Sequence, residues 1–427
     1  MREFEASLWR ATATAAPATA ALADDIRVDV AIIGGGLTGL SAALHLAKAG
    51  VRTALLEAHE LGSGATGRNG GFVVPSFAKS DPQSVIEQHG ELGERLVDLV
   101  GTSASALFEL VRTHHIPCDA AQHGWYQAAH SRAALARIEQ RARQWEARGQ
   151  PVALHDAATT TELTGVRGYL GSWSNATGGT VHPLKLAHGL AAVALAHGAT
   201  IYTASPVRAM RRTEGIWRLT AGRGEVRTER VLVCTNALSQ GLLPVLARAV
   251  IPAQIYQVAS EPVPPAQRAS LLGQGQGFSD TRINLFTYRF DAEWRLITGA
   301  LPGPYASRRG IGARMAARLK ASLALPELPR MQYIWSGEAS VSPDFLPALY
   351  ELDAGVLAGT ACNGRGVALS VELGRVLAEA VRAGSTRAVP LPLRSLQSVR
   401  SRHAARWGIR WYPLYGTIRD RLEQLAS

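Results

Sequence analysis

The pattern of apolar and polar positions near the start of the chain predicts a strand, a turn, a helix and a second strand. Residues 28–33 are nearly all apolar, as in a strand that is buried on both faces of a parallel sheet. Apolar residues then recur at helical spacing over 37–47, and Gly50 is placed to end that helix. Residues 51–56 are again mostly apolar and predict the second strand, with Glu57 at its carboxyl end.

The turn between the first strand and the helix contains the pattern G-x-G-x-x-G over Gly34–Gly39. In this context Gly34 makes the tight turn, Gly36 lets backbone approach a pyrophosphate, and Gly39 lets the helix pack on the strand. The partial positive charge at the helix N-terminus would hold the phosphates. Glu57 follows at the distance expected of a residue that hydrogen-bonds a ribose diol. We therefore predict a dinucleotide site rather than a glycine turn without a ligand.

Two further glycine-rich segments, residues 64–71 and 355–367, extend this prediction to FAD. The second segment has a strand, a turn and a helix start, and that helix N-terminus would stabilise negative charge on a reduced flavin. A packing turn is the alternative explanation. The predicted cofactor-binding residues are Gly34, Gly36, Leu37, Thr38, Gly39, Glu57, Ala65, Thr66, Arg68, Asn69, Gly70, Gly71, Val207, Gly364, Gly366 and Val367.

The rest of the pattern predicts an α/β fold: a discontinuous Rossmann-like FAD-binding domain with an inserted antiparallel-sheet substrate domain. Residues 81–165 have mainly helical periodicity, whereas residues 251–335 alternate in the manner of a half-buried antiparallel sheet. A short helix is expected near 417–425. The predicted FAD-binding pieces are residues 26–80, 170–250 and 350–385, the substrate domain and helical insert are 81–169 and 251–349, and the C-terminal tail is 386–427.

Composition narrows the class of protein. The 427 residues include three cysteines far apart in sequence, which excludes a disulfide framework and C-x-x-C metal spacing and favours a cytoplasmic location. The net charge of +11 comes from scattered arginines, so we attribute it to composition and predict no nucleic-acid partner. No apolar stretch is long enough for a membrane span. Residues 11–23 are too weakly apolar for a signal peptide, and we expect an ordered or semi-ordered leader.

The glycine segments, together with Gly178–Leu184, Trp335-x-Gly337 and the tail around 415–422, resemble the D-amino-acid oxidase/glycine oxidase/sarcosine oxidase superfamily of flavoenzymes. Within it, the chain looks most like the γ-glutamylputrescine-oxidising branch. The resemblance implies bound FAD, hydride transfer from the carbon of a C–N bond to the flavin, and dioxygen as the electron acceptor. It implies a small-molecule amine as the substrate.

The chain departs from that family at several positions. Arg365 stands where the family usually has His, and Glu338 follows the Trp-x-Gly segment where glycine-oxidase-like enzymes place an Arg for the substrate carboxylate; this favours an amine over a simple amino acid. The residues used for covalent flavin attachment have no match, so FAD is expected to be non-covalent. With no lysine in 280–300, Arg282 or Arg289 would supply the positive charge that assists reaction with dioxygen.

The candidate catalytic residues are Arg365, Tyr288 and Glu338, and no metal ligands are predicted. Further candidates for the substrate pocket are Trp125, Tyr126 and Trp335, for each of which a place in the core is the alternative. His182 is expected to have a structural role.

Three functions remain open at this point. The first is an FAD-dependent amine oxidase, and the second is a flavin dehydrogenase that acts on an amino acid or N-methyl amine and passes electrons to a quinone or protein. The third is a flavoprotein whose work is binding, either as a partner subunit or on nucleic acid.

Overall fold

The structure is a computed structural model that describes residues 7–239, 241–268, 270–272, 275–304, 306–327, 329–360, 363–396 and 402–425. Its helices are α1 Leu8–Thr12, α2 Leu37–Lys48, α3 Pro82–His89, α4 Glu91–Thr113, α5 Arg132–Glu146, α6 Ala157–Thr164, α7 Pro183–Ala196, α8 Pro244–Arg248, α9 Pro265–Arg268, α10 Arg308–Leu323, α11 Gly366–Ala383 and α12 Arg402–Leu425. Short 3₁₀ turns lie at Ala65–Arg68 and Asn236–Leu238. Its strands are β1 Ile26–Arg27, β2 Val30–Ile33, β3 Thr53–Leu56, β4 Phe72–Val73, β5 Trp125–Ala129, β6 Val152–Asp156, β7 Gly171–Asn175, β8 Gly179–Thr180, β9 Thr200–Tyr202, β10 Val207–Thr213, β11 Ile216–Ala221, β12 Gly224–Thr228, β13 Arg230–Val233, β14 Ile251–Pro262, β15 Gly277–Asp280, β16 Thr287–Phe290, β17 Arg295–Ala300, β18 Met331–Val341, β19 Ala348–Asp353, β20 Val356–Thr360 and β21 Leu393–Arg394.

A seven-stranded sheet forms the centre of the cofactor half, with strand order β21-β19-β20-β13-β2-β3-β9. Strands β20, β13, β2, β3 and β9 run parallel, and β19 joins antiparallel to β20. Val30 and Ile32 of β2 pack into one hydrophobic cluster, whereas Ala31 and Ile33 pack into another, on the opposite face of the sheet. Helices α2, α7 and α11 contribute to the first cluster and strands β11 and β12 to the second, so β2 is buried on both faces, as its apolar sequence predicts.

Helix α2 is packed closely against α11. A Cβ atom added at Gly374 of α11 would lie 2.4 Å from the carbonyl oxygen of Thr38. This contact brings together two segments more than 300 residues apart, so that the N-termini of α2 and α11 border the same cavity.

The second half is built on an eight-stranded sheet with order β18-β14-β17-β16-β15-β5-β7-β6. Its neighbours pair antiparallel except β15 and β5, which run parallel. The sheet expected in 251–335 is present, but the expectation is wrong for α10. In that segment Ile311, Met315 and Leu319 are buried at intervals of four residues, which is a helical stripe, and the Ser307 hydroxyl caps its start.

Two smaller features complete the fold. A four-stranded sheet, β1-β12-β11-β10, lies beside the cofactor half. Helix α12 is much longer than the short helix expected near 417–425, because it continues through Pro413. Within the described ranges, no helix combines the length and the apolar character that crossing a membrane requires.

Candidate functional site

One large cavity of about 1290 Å³ lies between the carboxyl edge of the seven-stranded sheet and the eight-stranded sheet. It is bordered by the ends of β2, β3 and β13, by the 63–72 loop, by β14 and β18, and by parts of α5 and α12. Ligands of open α/β sheets bind at this edge. The volume exceeds that of an ordinary small-ligand pocket, so it has room for a dinucleotide and a second small molecule.

The glycine turn after β2 is sterically required. Gly34 has a φ of 110°, and a Cβ there would lie 2.8 Å from the carbonyl oxygen of Cys234. A Cβ at Gly39 would lie 2.0 Å from the carbonyl oxygen of Gly34, so only glycine lets α2 start this close to β2. Leu37 and Thr38 of the first helical turn border the cavity. Their position presents the positive end of α2 to a ligand.

Glu57 is held by two backbone hydrogen bonds at the end of β3. Its Oε2 accepts from the Gly35 N–H at 2.7 Å, and its Oε1 accepts from the His59 N–H at 2.8 Å. A Cβ at Gly35 would press on the Glu57 side chain at 3.0 Å. The carboxylate is therefore fixed beside the glycine turn, where a ribose hydroxyl can donate to it.

The loop after the 3₁₀ turn at Ala65–Arg68 is stabilised from within. The Asn69 side chain donates to the carbonyl oxygen of Thr66 at 2.8 Å and accepts from the Gly71 N–H at 2.7 Å. The Thr66 hydroxyl accepts from the Leu37 N–H at 3.2 Å, which joins the loop to the start of α2.

Helix α1 packs against the outside of this loop. The buried Trp9 donates its indole N–H to the carbonyl oxygen of Asn69 at 2.7 Å, and the Ser7 hydroxyl donates to Gly67. The leader expected from the sequence is thus ordered from residue 7 and supports the cavity wall.

Arg289 of β16 is fully buried behind the same loop. Its guanidinium donates to the carbonyl oxygens of Gly71 and Val181, at 2.8 and 2.7 Å. Burial lowers the pKa of Arg289 to about 10, which leaves it charged at neutral pH. The side chain does not border the cavity, whereas Arg282 does and pairs with Asp280 at 2.7 Å. Of the two arginines expected to assist a reaction with dioxygen, only Arg282 therefore borders the cavity.

The N-terminus of α11 forms another wall. Asn363 has a φ of 42°, and its side-chain oxygen accepts from the Ser342 N–H at 2.8 Å. Arg365 donates to the carbonyl oxygen of Phe77, and its guanidinium carbon lies 4.8 Å from the centre of the Trp125 ring. Burial, followed by repulsion from Arg141, lowers the pKa of Arg365 to about 9, so it stays cationic at neutral pH.

The structure brings most of the predicted cofactor residues to this one cavity. All of them border it except Gly39, whose place is the helix–strand contact. Of the candidate catalytic residues, Arg365 and Glu338 border the cavity. Glu338 lies on the edge strand β18, and the register of the sheet pairs it with Gln254 on β14. Because successive residues of a strand face opposite sides, both side chains point away from the face that Gln257 occupies.

Tyr288 does not reach the cavity, contrary to expectation. Its side chain is fully buried in a hydrophobic cluster, and its hydroxyl donates to the carbonyl oxygen of Thr164. The preceding Thr287 borders the cavity instead, because successive residues of a strand face opposite sides. Trp125, Tyr126 and Trp335 also lie outside the lining, with Trp125 stacked under Arg365.

His182 has the structural role expected of it. Its Nδ1 accepts from the Lys185 N–H at 3.1 Å and caps α7, while its Nε2 lies 3.0 Å from the Thr12 hydroxyl. Burial, with the nearby charges of Lys185 and Arg289, lowers the pKa of His182 to about 3.

Gln257 and Lys79 are among the cavity residues that the sequence analysis missed. Gln257 of β14 is 8% exposed, borders the cavity, and its Oε1 has no hydrogen-bond partner among the described residues. Lys79 also borders the cavity although it lies far in sequence from the sheet. The alternation along β14 could have identified the face of Gln257, but no local signal marks Lys79.

These features fit FAD. The Gly34–Gly36 turn leaves space that side chains would fill, α2 directs its positive end there, and Glu57 is fixed for a ribose. Separately from these cofactor features, the buried side-chain oxygen of Gln257, which has no partner among the described residues, can accept from an N–H group of a second ligand. In the part of the chain that the structure describes, no three His, Cys, Asp or Glu side chains form a metal-binding group.

Comparisons with known proteins agree with this geometry. The γ-glutamylputrescine oxidoreductase of Escherichia coli K12 is 29% identical over 392 residues, 91% of each chain. The solved structure of glycine oxidase from Geobacillus kaustophilus has a TM-score of 0.72 at 23% identity, over 86% of this chain and 98% of that one. L-proline dehydrogenase from P. horikoshii has a TM-score of 0.73 at 16% identity, over 87% and 96%.

The structural likenesses show the fold, and the sequence match shows the family. The family profile described as FAD dependent oxidoreductase matches residues 29–380, which include the glycine turn, Glu57 and the start of α11. The chain therefore belongs to this family of FAD-dependent oxidoreductases, which act on amine and amino-acid substrates.

Proposed function

We propose that this enzyme oxidises the C–N bond of a primary amine related to γ-glutamylputrescine, with non-covalent FAD as the hydride acceptor and dioxygen as the final oxidant. The observation that supports it most directly is the single cavity that joins the dinucleotide turn to the eight-stranded sheet, with the unpartnered Gln257 oxygen inside. The relative named γ-glutamylputrescine oxidoreductase supports the choice of amine.

FAD, when bound, takes a hydride from the amine carbon and later passes two electrons to the oxidant. The amine becomes an imine as it loses the hydride and a proton, and water then converts the imine to an aldehyde and ammonia. The task of the protein is to hold the carbon correctly and to exclude water.

The residues have distinct proposed roles. The Gln257 oxygen accepts a hydrogen bond from the substrate N–H and thereby orients the neutral amine. Glu338, for which the described residues provide no hydrogen-bond or ionic partner, borders the cavity on the other face of the sheet from Gln257 and attracts the protonated amine as it approaches, without contacting the amine that Gln257 orients. Arg282 and Arg365 provide fixed positive charge in the cavity.

Anaerobic mixing of the purified holoenzyme with γ-glutamylputrescine tests this proposal. Bleaching of the visible flavin band is expected, and recovery of the band with peroxide formation is expected when air is admitted. A band that does not bleach refutes the choice of amine. Bleaching without reoxidation by air refutes dioxygen as the oxidant and favours a dehydrogenase. Acid precipitation should release the flavin into the supernatant if it is non-covalent.

A further inference from the structure

The end of the cavity next to the eight-stranded sheet holds more positive than negative side chains. We call this the cap-side end and define it by residues 78–81, Gln127, α5, residues 280–285, Arg365 and α12. Besides Asp280 and Arg282, which border this end of the cavity but are paired with each other, five cations border it, namely Lys79, Arg137, Arg141, Arg365 and Arg419. Two carboxylates, Asp81 and Glu423, partly balance these five positive charges. The difference is three positive charges.

The two carboxylates are already engaged by other cations. Asp81 accepts from Arg141 at 2.5 Å. Glu423 lies 3.7 Å from Arg137 and 3.6 Å from Arg419. Neither carboxylate forms an ion pair with Lys79 or Arg365.

Lys79 and Arg365 therefore have no ion-pair partner among the described residues, although the charges of Asp420 and Asp81 act on Lys79 and Arg365, respectively, at longer range. Among the described residues, Lys79 has no hydrogen-bond or ionic partner, and Arg365 donates only to the Phe77 carbonyl. Lys79 borders the cavity but is exposed as a residue. Partial desolvation and then the charges of Arg365 and Arg141 lower its pKa, whereas the charge of Asp420 raises it. An arrangement in which like charges repel one another is stabilised when an anion enters.

The location separates these cations from the predicted phosphate site. Phosphates are expected at the N-terminus of α2, at Gly34–Thr38, on the cofactor half. Lys79 and Arg365 adjoin Arg141 of α5, which packs on the strands of the other sheet. Stacking on Trp125 holds the Arg365 guanidinium in place. A fixed guanidinium is suited to bidentate hydrogen bonding of a carboxylate, and Lys79 would provide a second positive charge.

We infer that Lys79 and Arg365 form an anion subsite that binds a carboxylate of the amine substrate, away from the reacting C–N bond. This inference rests on the proposed function and names the substrate class more closely: amines that carry a carboxylate at their far end. A γ-glutamyl group supplies such a carboxylate, whereas a plain diamine does not.

The test compares two amines that differ in that group. KM is measured for N-glutarylputrescine and for N-pentanoylputrescine, which keep the reacting amine and the chain and differ only in that a methyl group replaces the carboxylate in the second. Wild type should have a KM at least tenfold lower for the first amine, and Lys79→Met should reduce this ratio about tenfold. Lys79→Arg should restore most of it, and Lys48→Met, at an exposed lysine of α2, should leave both KM values unchanged.

A binding measurement decides the matter independently of turnover. The holoenzyme is titrated with glutarate at constant ionic strength while the visible flavin spectrum is recorded. The expected result is a saturating change in wild type and at least tenfold weaker binding in Lys79→Met. Equal binding in both proteins overturns the inference, as does binding of inorganic phosphate as tight as that of glutarate. If γ-glutamylputrescine fails to bleach the flavin but glutarate binding depends on Lys79, the proposed amine is wrong and the subsite remains.

Discussion

Replacement of Glu57 by glutamine tests the cofactor site most sharply. The two carboxylate oxygens accept backbone hydrogen bonds from Gly35 and His59, at 2.7 and 2.8 Å. A hydrogen bond to a charged group is worth about 1.5–3 kcal/mol. Glutamine keeps one acceptor oxygen and turns an NH₂ group toward the other N–H, so one bond is lost and the second is no longer charge-assisted.

The charge-assisted hydrogen bond from the FAD ribose to this residue would be lost or weakened, so the expected loss of affinity is about 1.5–3 kcal/mol, which corresponds to a Kd for FAD raised about 10- to 150-fold. Apoprotein is titrated into FAD, and quenching of the flavin fluorescence gives the Kd. Glu60→Gln is the matched control, because Glu60 is exposed and pairs only with Arg10 at the surface. A Kd for Glu57→Gln within twofold of wild type would refute the assigned role. The same holds if the apoprotein loses stability while its affinity for FAD is unchanged.

Three further predictions concern other parts of the molecule. The pKa of His182 is about 3 in the folded protein and 6.5 in the unfolded chain. Between these pH values only the unfolded chain binds the proton, so the free energy of unfolding falls as pH drops below 6.5, by about 1.4 kcal/mol per pH unit. His182→Gln should remove that part of the slope in urea unfolding at pH 6.5 and 5.0, and an unchanged slope would contradict the assignment. Glu338→Gln should raise KM for cationic amines about fivefold, the effect of an ion pair of about 1 kcal/mol, and an unaltered KM would count against a binding role. Gly39→Ala should cost about 3 kcal/mol or more in thermal unfolding because its Cβ meets the Gly34 carbonyl, whereas Gly303→Ala, where a Cβ meets open space, should be neutral.

The cofactor half was predictable because local sequence determines it. Glycine is sterically required at Gly34 and Gly39, and the strand–turn–helix pattern in the sequence is enough to predict this requirement. Glu57 then follows the glycine turn at the sequence separation typical of a ribose-binding carboxylate. The burial of β2 on both faces also follows directly from its apolar residues. Here the periodicity of the chain and its tertiary packing agree.

The substrate half was harder because its site depends on contacts between distant segments. Tyr288 is expected in the pocket because of its residue type. Strand β16 instead turns the side chain of Thr287 toward the cavity and that of Tyr288 toward the core. Lys79 reaches the cavity only through the packing of the 78–81 segment against α5, which no short pattern reveals. The sheet expected over 251–335 is wrong at Arg308–Leu323, where buried positions recur every fourth residue, and the short helix expected near 417–425 instead extends back through Pro413.

The contact between Trp9 and the Asn69 carbonyl has a practical consequence for dividing the chain. The family profile begins at residue 29 and ends at 380, yet α1 supports the cofactor loop from before that range and α12 borders the cavity from beyond it. A protein trimmed to the profile would keep the glycine turn but lose an outer support of the 63–72 loop and one wall of the cavity. The part of the chain that the family profile matches is therefore smaller than the unit that encloses the cavity.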